Sequence, residues 1–277
     1  MAVHLYAAQD TDEYCHDTDF EQVANSQLNG VIGGCALTYS ASTLAVTMGA
    51  GTILSNGVVV QVAADATGVT LSADSSNPRW ATIGLNTSGV MVLVSGSAAA
   101  IPAKAELSTI QVVLAIVKVD ANLTIANDAS VKLDKRVPIR SFVIRKTADE
   151  TVNNSVALQN DDTFYFYMNA SEAWMVELDL ATNSSAVADF KAAWTVQAAG
   201  AAVGTKVLAA GTRSWVTDFT AAEAYDGTGA NSSIGMKVAL VNSTTAGLFR
   251  LQWAQNTAEV SDSKVLINSL MVARRTT

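Results

Sequence analysis

Hydrophobicity along this chain alternates with a period of two residues in one segment after another, and nothing else in the sequence constrains the fold as strongly. Successive side chains of a strand point to opposite faces, so alternation of apolar and polar residues marks a strand with one face buried. Segments 44–48, 58–62, 69–71, 80–83 and 90–94 follow one another in this way. Asn29-Gly30, Asn56-Gly57, Thr67-Gly68 and Ser88-Gly89 stand where hairpins would reverse. The second half repeats the pattern over 164–168, 173–180, 190–196, 236–240, 248–253 and 264–272. No helical period stands out except over 220–225, which reads as one short turn. The prediction is an all-β chain.

At 277 residues the chain is long for one sandwich and comfortable for two. Two sandwich-like or barrel-like domains are therefore expected, an N-terminal one over 22–137 and a C-terminal one over 147–277. A basic hinge, 138–146, lies between them. Four of the five tryptophans, Trp174, Trp194, Trp215 and Trp253, fall beyond that hinge, which predicts a second core with its own aromatic content. Residues 1–21 differ from the rest. Asp10, Asp12, Glu13, Asp17, Asp19 and Glu21 crowd there among Leu5, Tyr6, Tyr14 and Phe20. So acidic a stretch lacks the apolar area to fold alone and reads as an extended N-terminal arm whose aromatics anchor it on a partner.

Only 15% of the residues are charged while 49% are hydrophobic. Such a surface is covered by Ser, Thr, Asn, Gln and Ala and repels neighbours weakly, so assembly with other protein surfaces is expected, a monomer with a neutral polar surface being the alternative. The net charge of −8 argues against nucleic acid as a partner. The apolar runs 89–94 and 111–119 fall far short of the ~20 residues that span a bilayer, so no membrane insertion is expected. Residues 1–10 lack the features of a secretory signal, which predicts synthesis and solubility in a cytoplasm. In that compartment Cys15 and Cys35 read as two thiols, with a single bridge as the alternative.

The search for chemistry yields little. His4 and His16 are the only histidines and both lie in the arm, away from any Ser or Cys partner in a core. Cys15-His16-Asp17 offers three consecutive ligand types that cannot converge on one ion. Glu177 and Asp179 share a strand face as a glycosidase pair would, but they alternate with Val176, Leu178 and Leu180 and read as a solvated face. The glycine-rich stretches 30–34 and 226–229 lack the lysine and the helix of a phosphate loop and read as turns. Asp161-Asp162 lacks the twelve-residue loop of a calcium site. No catalytic residue, cofactor or metal is assigned, and an enzyme is not expected. One charge pattern remains: Lys132, Lys135, Arg136, Arg140, Arg145 and Lys146 stand within fifteen positions of an acidic chain. They serve either as a solvated hinge or as a partner for the acidic arm. The candidate anchoring residues are accordingly Tyr6, Tyr14 and Phe20 on one side and Lys135, Arg136 and Arg140 on the other.

The stretches Gly30-Val-Ile-Gly-Gly-Cys-Ala-Leu-Thr38, Leu44 through Val60, Asn77-Pro-Arg-Trp80 and Leu133-Asp-Lys-Arg136 resemble a small β-domain of tailed-bacteriophage tail, baseplate and fibre proteins. Thr147 through Ser155, Leu158-Gln-Asn-Asp-Asp162, Gln252 through Thr257 and Ser269 through Arg275 are similar to phage jelly-roll modules. The resemblance implies a virion structural protein made in the host bacterial cytoplasm, with a jelly-roll C-terminal domain. It implies a homotrimer whose other partners are capsid or tail proteins of the virion. A capsid decoration or head fibre fits the compact length and the arm. The alternative is a tail or baseplate protein that binds a host-surface glycan, with Trp215 or Tyr225 as the sugar contact.

Overall fold

The computed structural model describes residues 29–103, 109–136, 138–207 and 212–276. Among the described residues the first half holds ten strands: β1 (Gly30–Gly34), β2 (Leu37–Tyr39), β3 (Ala45–Met48), β4 (Gly51–Ser55), β5 (Val58–Val62), β6 (Asp65–Thr70), β7 (Arg79–Leu85), β8 (Met91–Ser95), β9 (Val112–Val119) and β10 (Val131–Asp134). They make three antiparallel sheets, ordered β1-β4-β5, β2-β3-β6 and β10-β9-β7-β8. Their common core gathers Val46, Met48, Ile53, Leu71, Ile83, Leu85, Leu114 and Val117.

The second half contains β11 (Ser141–Arg145), β12 (Glu150–Asn153), β13 (Gln159–Met168), β14 (Ala173–Asn183), β15 (Phe190–Thr195), β16 (Ala201–Val207), β17 (Arg213–Val216), β18 (Glu223–Tyr225), β19 (Asn231–Val241), β20 (Gly247–Gln255), β21 (Asp262–Val265) and β22 (Leu270–Arg275). One sheet runs β11-β22-β14-β19-β16-β17, with β12 and β21 paired beside it, and the other runs β13-β20-β15-β18. If β11 and β12 are taken as one interrupted strand B, and β21 and β22 as one interrupted strand I, the sheets read B-I-D-G and C-H-E-F. That is the strand order of a jelly roll, with β16 and β17 added beyond G. The chain is thus all-β, with a jelly-roll sandwich as its C-terminal part.

The sandwich core follows from strand parity. In β14, Trp174, Val176, Leu178 and Leu180 point inward while Met175, Glu177 and Asp179 point outward. Phe142, Phe166 and Trp174 pack with ring centroids 5.2 to 5.4 Å apart, and Phe190 stacks on Trp253 at 5.4 Å. Trp174, Trp194 and Trp253 are all buried, as their alternating strands predict, whereas Trp215 is 66% exposed.

β1 and β4 break the alternation for a physical reason. Val31 and Ile53 enter the first core while Ile32 and Leu54 enter the sandwich core, so this sheet is covered on both faces and reads as a continuous apolar run. It lies against the free edge of β13. Tyr167 N–H donates to Thr52 Oγ1 at 2.9 Å, and Gln61 Nε2 donates to the Tyr165 carbonyl at 3.2 Å. Thr52 Oγ1 donates to Gln61 Oε1 at 2.8 Å, which fixes the pair. Two side chains thereby satisfy backbone groups that would otherwise offer an open strand edge. A side chain at Gly33 would collide with the Tyr167 carbonyl, so this approach requires glycine.

Several expectations change. Residues 30–34 form strand β1 rather than a turn. Thr67-Gly68 lies inside β6, where Gly68 at φ +65° accompanies a register shift opposite β3, a bulge rather than a hairpin. Segment 220–225 holds strand β18 instead of a helical turn. Segment 264–272 divides into β21 and β22, because the buried Ser269 accepts the Ala181 N–H at 3.0 Å and donates to the Leu266 carbonyl at 2.8 Å.

Candidate assembly surface

Of the anchoring residues proposed from sequence, Tyr6, Tyr14 and Phe20 lie outside the described residues, as do His4, His16, Cys15 and the acidic arm. The basic residues are dispersed. Lys132, on β10, donates to the Asn127 carbonyl and lies 5.5 Å above the Tyr39 ring. Arg136 is held by Asp134, with Nη2 2.6 Å from Oδ2 and Nε 3.0 Å from Oδ1, and Nη1 donates to the Gly34 carbonyl at 3.3 Å. That pairing lowers the Asp134 carboxyl below its ordinary range and raises the Arg136 guanidinium. Arg145 donates to Asn268 Oδ1 at 2.7 Å. Lys135 and Arg140 face solvent. The 138–146 segment is mostly strand β11, paired to β22 over its whole length, and Lys146 is buried behind it.

A cleft of about 160 Å³ beside Arg136 is lined by Leu37, Tyr39, Leu114, Lys132 and Asp134. Burial, and then the Asp134 charge, raise the Tyr39 phenol. Cys35 is also buried, and burial pushes its thiol up to about 12 against the pull of Arg136, which leaves it unreactive at neutral pH.

The other residues singled out for chemistry are structural. Glu177 is half exposed and pairs across the strands with Lys237 at 3.1 Å. Asp161 is fully buried against Lys146. Tyr225 is buried and cannot meet a sugar, whereas Trp215 stands exposed on the edge strand β17 opposite Thr205. Among the described residues, no three His, Cys, Asp or Glu side chains are grouped to hold a metal ion.

Sequence reasoning missed two buried ionic clusters. In the first, Glu172, 2% exposed, accepts the Asn169 N–H and the Trp174 Nε1–H, each at 3.0 Å, and the Asn169 side-chain amide at 2.8 Å. Arg275 Nη1 lies 3.0 Å from Oε1, the oxygen that also accepts the Asn169 side-chain amide. Asn169 Oδ1 accepts the Gly34 N–H at 3.0 Å, so this cluster ties the sandwich to β1. The second joins Lys146, Glu150 and Asp161. Its signal was available: Phe142, Ile144 and Lys146 share one parity, and the first two are core residues.

The broad face of the sandwich that points away from the core mixes apolar with charged side chains. One row across it runs Val143, Val272, Glu177, Lys237, Thr205, Trp215, and the next runs Arg145, Leu270, Asp179, Gly235, Val207, Arg213. A third holds Ser141, Arg274, Met175, Ala239 and Val203. Val143 is 54% exposed and Leu270 38%. A solvated sheet face normally alternates apolar-in with polar-out, but here valine, leucine and methionine occupy many outward positions. Such a surface suits contact with another protein.

No protein-family model and no curated protein matches the chain. Solved structures similar to it include that of infectious bursal disease virus Gx strain, with 13% identity, 90% of this chain and 69% of that chain covered, and a TM-score of 0.30. The Gt strain structure gives 13% identity, 89% and 70% coverage and a TM-score of 0.31. The VP2 subviral particle of the same virus gives 13% identity, 89% and 69% coverage and a TM-score of 0.28.

Proposed function

We propose that this chain is a non-enzymatic structural protein of a bacteriophage-type virion surface, acting as a capsid decoration or head fibre that assembles as a homotrimer and is anchored through its N-terminal region. The observation that carries the reading is the outward face of the eight-stranded sheet, where Val143, Val272, Leu270, Met175 and Val203 take outward positions between the charged residues. A second copy of the chain covering that face would bury these side chains, and closed symmetry would let every subunit do so equally. The buried acids and bases support the same reading, since Glu172, Asp161 and Lys146 join elements of the fold rather than line a cleft. The phage resemblance of both halves supports the virion setting.

The test is sedimentation of the purified full chain and of a Val143→Lys/Leu270→Lys variant. The wild type should sediment as a trimer and the variant as a folded monomer. A wild-type protein that stays monomeric at micromolar concentration would overturn the assembly reading.

A tail or baseplate protein that binds a host glycan is the second reading, and exposed Trp215 favours it. An indole presented at a sheet edge offers a flat apolar platform for a sugar ring. Loss of binding to host-surface polysaccharide in Trp215→Ala, with the oligomer intact, would select this reading.

A further inference from the structure

The Lys146 cluster has a composition that an ion pair alone does not need. Lys146 is 2% exposed and Asp161 fully buried, and one ammonium there serves two carboxylates. Nζ lies 3.0 Å from Asp161 Oδ2 and 2.7 Å from Glu150 Oε2. Backbone hydrogen bonds fix the lysine, because its N–H donates to the Ser269 carbonyl and its carbonyl accepts the Asn268 N–H, both at 2.9 Å. The other Asp161 oxygen, Oδ1, accepts the N–H groups of Thr163 and Phe164, both at 2.8 Å, within the irregular stretch of β13. The Phe164 ring lies 5.5 Å from Nζ and helps to close the site to water. An amine, a carboxyl group, a second carboxylate in contact with the amine and two N–H donors aimed at one carboxyl oxygen are thus held together in a dry interior.

We propose that Lys146 and Asp161 condense into an intramolecular amide, with Glu150 carrying the proton. In the ion pair one proton first passes from Nζ to Oδ2, leaving a neutral amine and a neutral carboxyl group. The nitrogen lone pair then attacks Cγ of Asp161, and the charge that develops on Oδ1 is met by the Thr163 and Phe164 N–H groups. Glu150 takes the second proton from nitrogen and delivers it to Oδ2. The Nζ–Cγ bond forms, the Cγ–Oδ2 bond breaks, Oδ2 leaves as water and Glu150 returns to its starting state. Two hydrogens leave with the oxygen and one stays on the amide nitrogen, so the balance closes without any co-reactant. Burial, above all, raises the Glu150 carboxyl, which suits a group that must hold a proton in transit. The product links the end of β11 to β13 and so bridges the two sheets covalently.

Intact-mass measurement of the purified full chain, followed by tryptic mapping, tests the proposal. The protein should be lighter by one water than its sequence. An acylated Lys146 resists trypsin, so the peptide from Lys146 to Lys191 should appear uncut at Lys146 and short of one water. Glu150→Gln, verified as folded by near-ultraviolet circular dichroism, should show the full mass and restored cleavage after Lys146. Full mass in the wild type, or water lost at another position such as Asp226-Gly227, overturns the bond. A Glu150→Gln protein linked as completely as the wild type overturns the part given to Glu150.

Discussion

Replacing Glu172 by glutamine probes how the sandwich closes against the first half. Glu172 receives three N–H donors and the Arg275 guanidinium on its two oxygens. Glutamine preserves the shape but turns one oxygen into an N–H₂ group, so two of those donors then face another donor in either orientation. Asn169 cannot rotate its amide in response, because its own oxygen is held by the Gly34 N–H. A buried donor left unsatisfied costs about 1–3 kcal/mol, and breaking a buried ion pair about 3–5 kcal/mol. Arg275 keeps some access to water, with a side chain 26% exposed, which places the total near the lower of these figures, at about 3 kcal/mol. Urea unfolding followed by tryptophan fluorescence reads the change, and Trp174 reports locally because its indole N–H donates to Glu172. A variant with the wild-type midpoint and slope would refute the reasoning and reduce Glu172 to a bystander.

Three further outcomes follow from the same structure. Trp253→Ala should lower stability by about 3–5 kcal/mol, since the ring is fully buried against Phe190; an unchanged melting temperature would remove Trp253 from the core. Asp74, Asp134, Asp218, Glu259 and Asp262 are all held below their ordinary range by hydrogen bonds to the carboxylate. A depressed folded-state value contributes stability above the unfolded pKa of about 4 that is lost as pH falls through the folded values, so the urea midpoint should drop between pH 5 and pH 2, whereas a flat profile would contradict this. A chain that starts at Gln22 should fold with the wild-type melting temperature yet fail to bind virions lacking the protein; equal binding would show that residues 1–21 do not anchor it.

Much of the fold is legible in the sequence because most strands have one buried face. Wherever that holds, as in β14 and β19, period-two alternation marks the strand. It fails in β1 and β4, whose two faces enter different cores, so nothing polar alternates. It also fails at Lys264 through Val272, where Ser269 interrupts a run that looks continuous. Asp218, whose carboxylate accepts the Thr220 N–H at 2.8 Å, gives a helix-start signal, but Phe219 and Tyr225 are both buried and draw the chain back into a strand. The candidate site was less legible. The basic run 132–146 looked like one surface because charge was read along the chain. Strand parity, which turns Lys146 inward and leaves Lys135 and Arg140 outward, separates those charges in space. The outward valines of β11 and β22 gave no signal of their own, since a sheet face emerges only when strands distant in sequence are placed side by side.

The proposed function sets this chain on the surface of a virion, assembled there with copies of itself. Imaging purified particles at a resolution that traces strands tests it most directly. Jelly-roll density for this chain should appear on the outside of the particle, in three-fold groups that bury Val143 and Leu270 between subunits. Particles without the chain, or isolated copies with that face open to solvent, would contradict it.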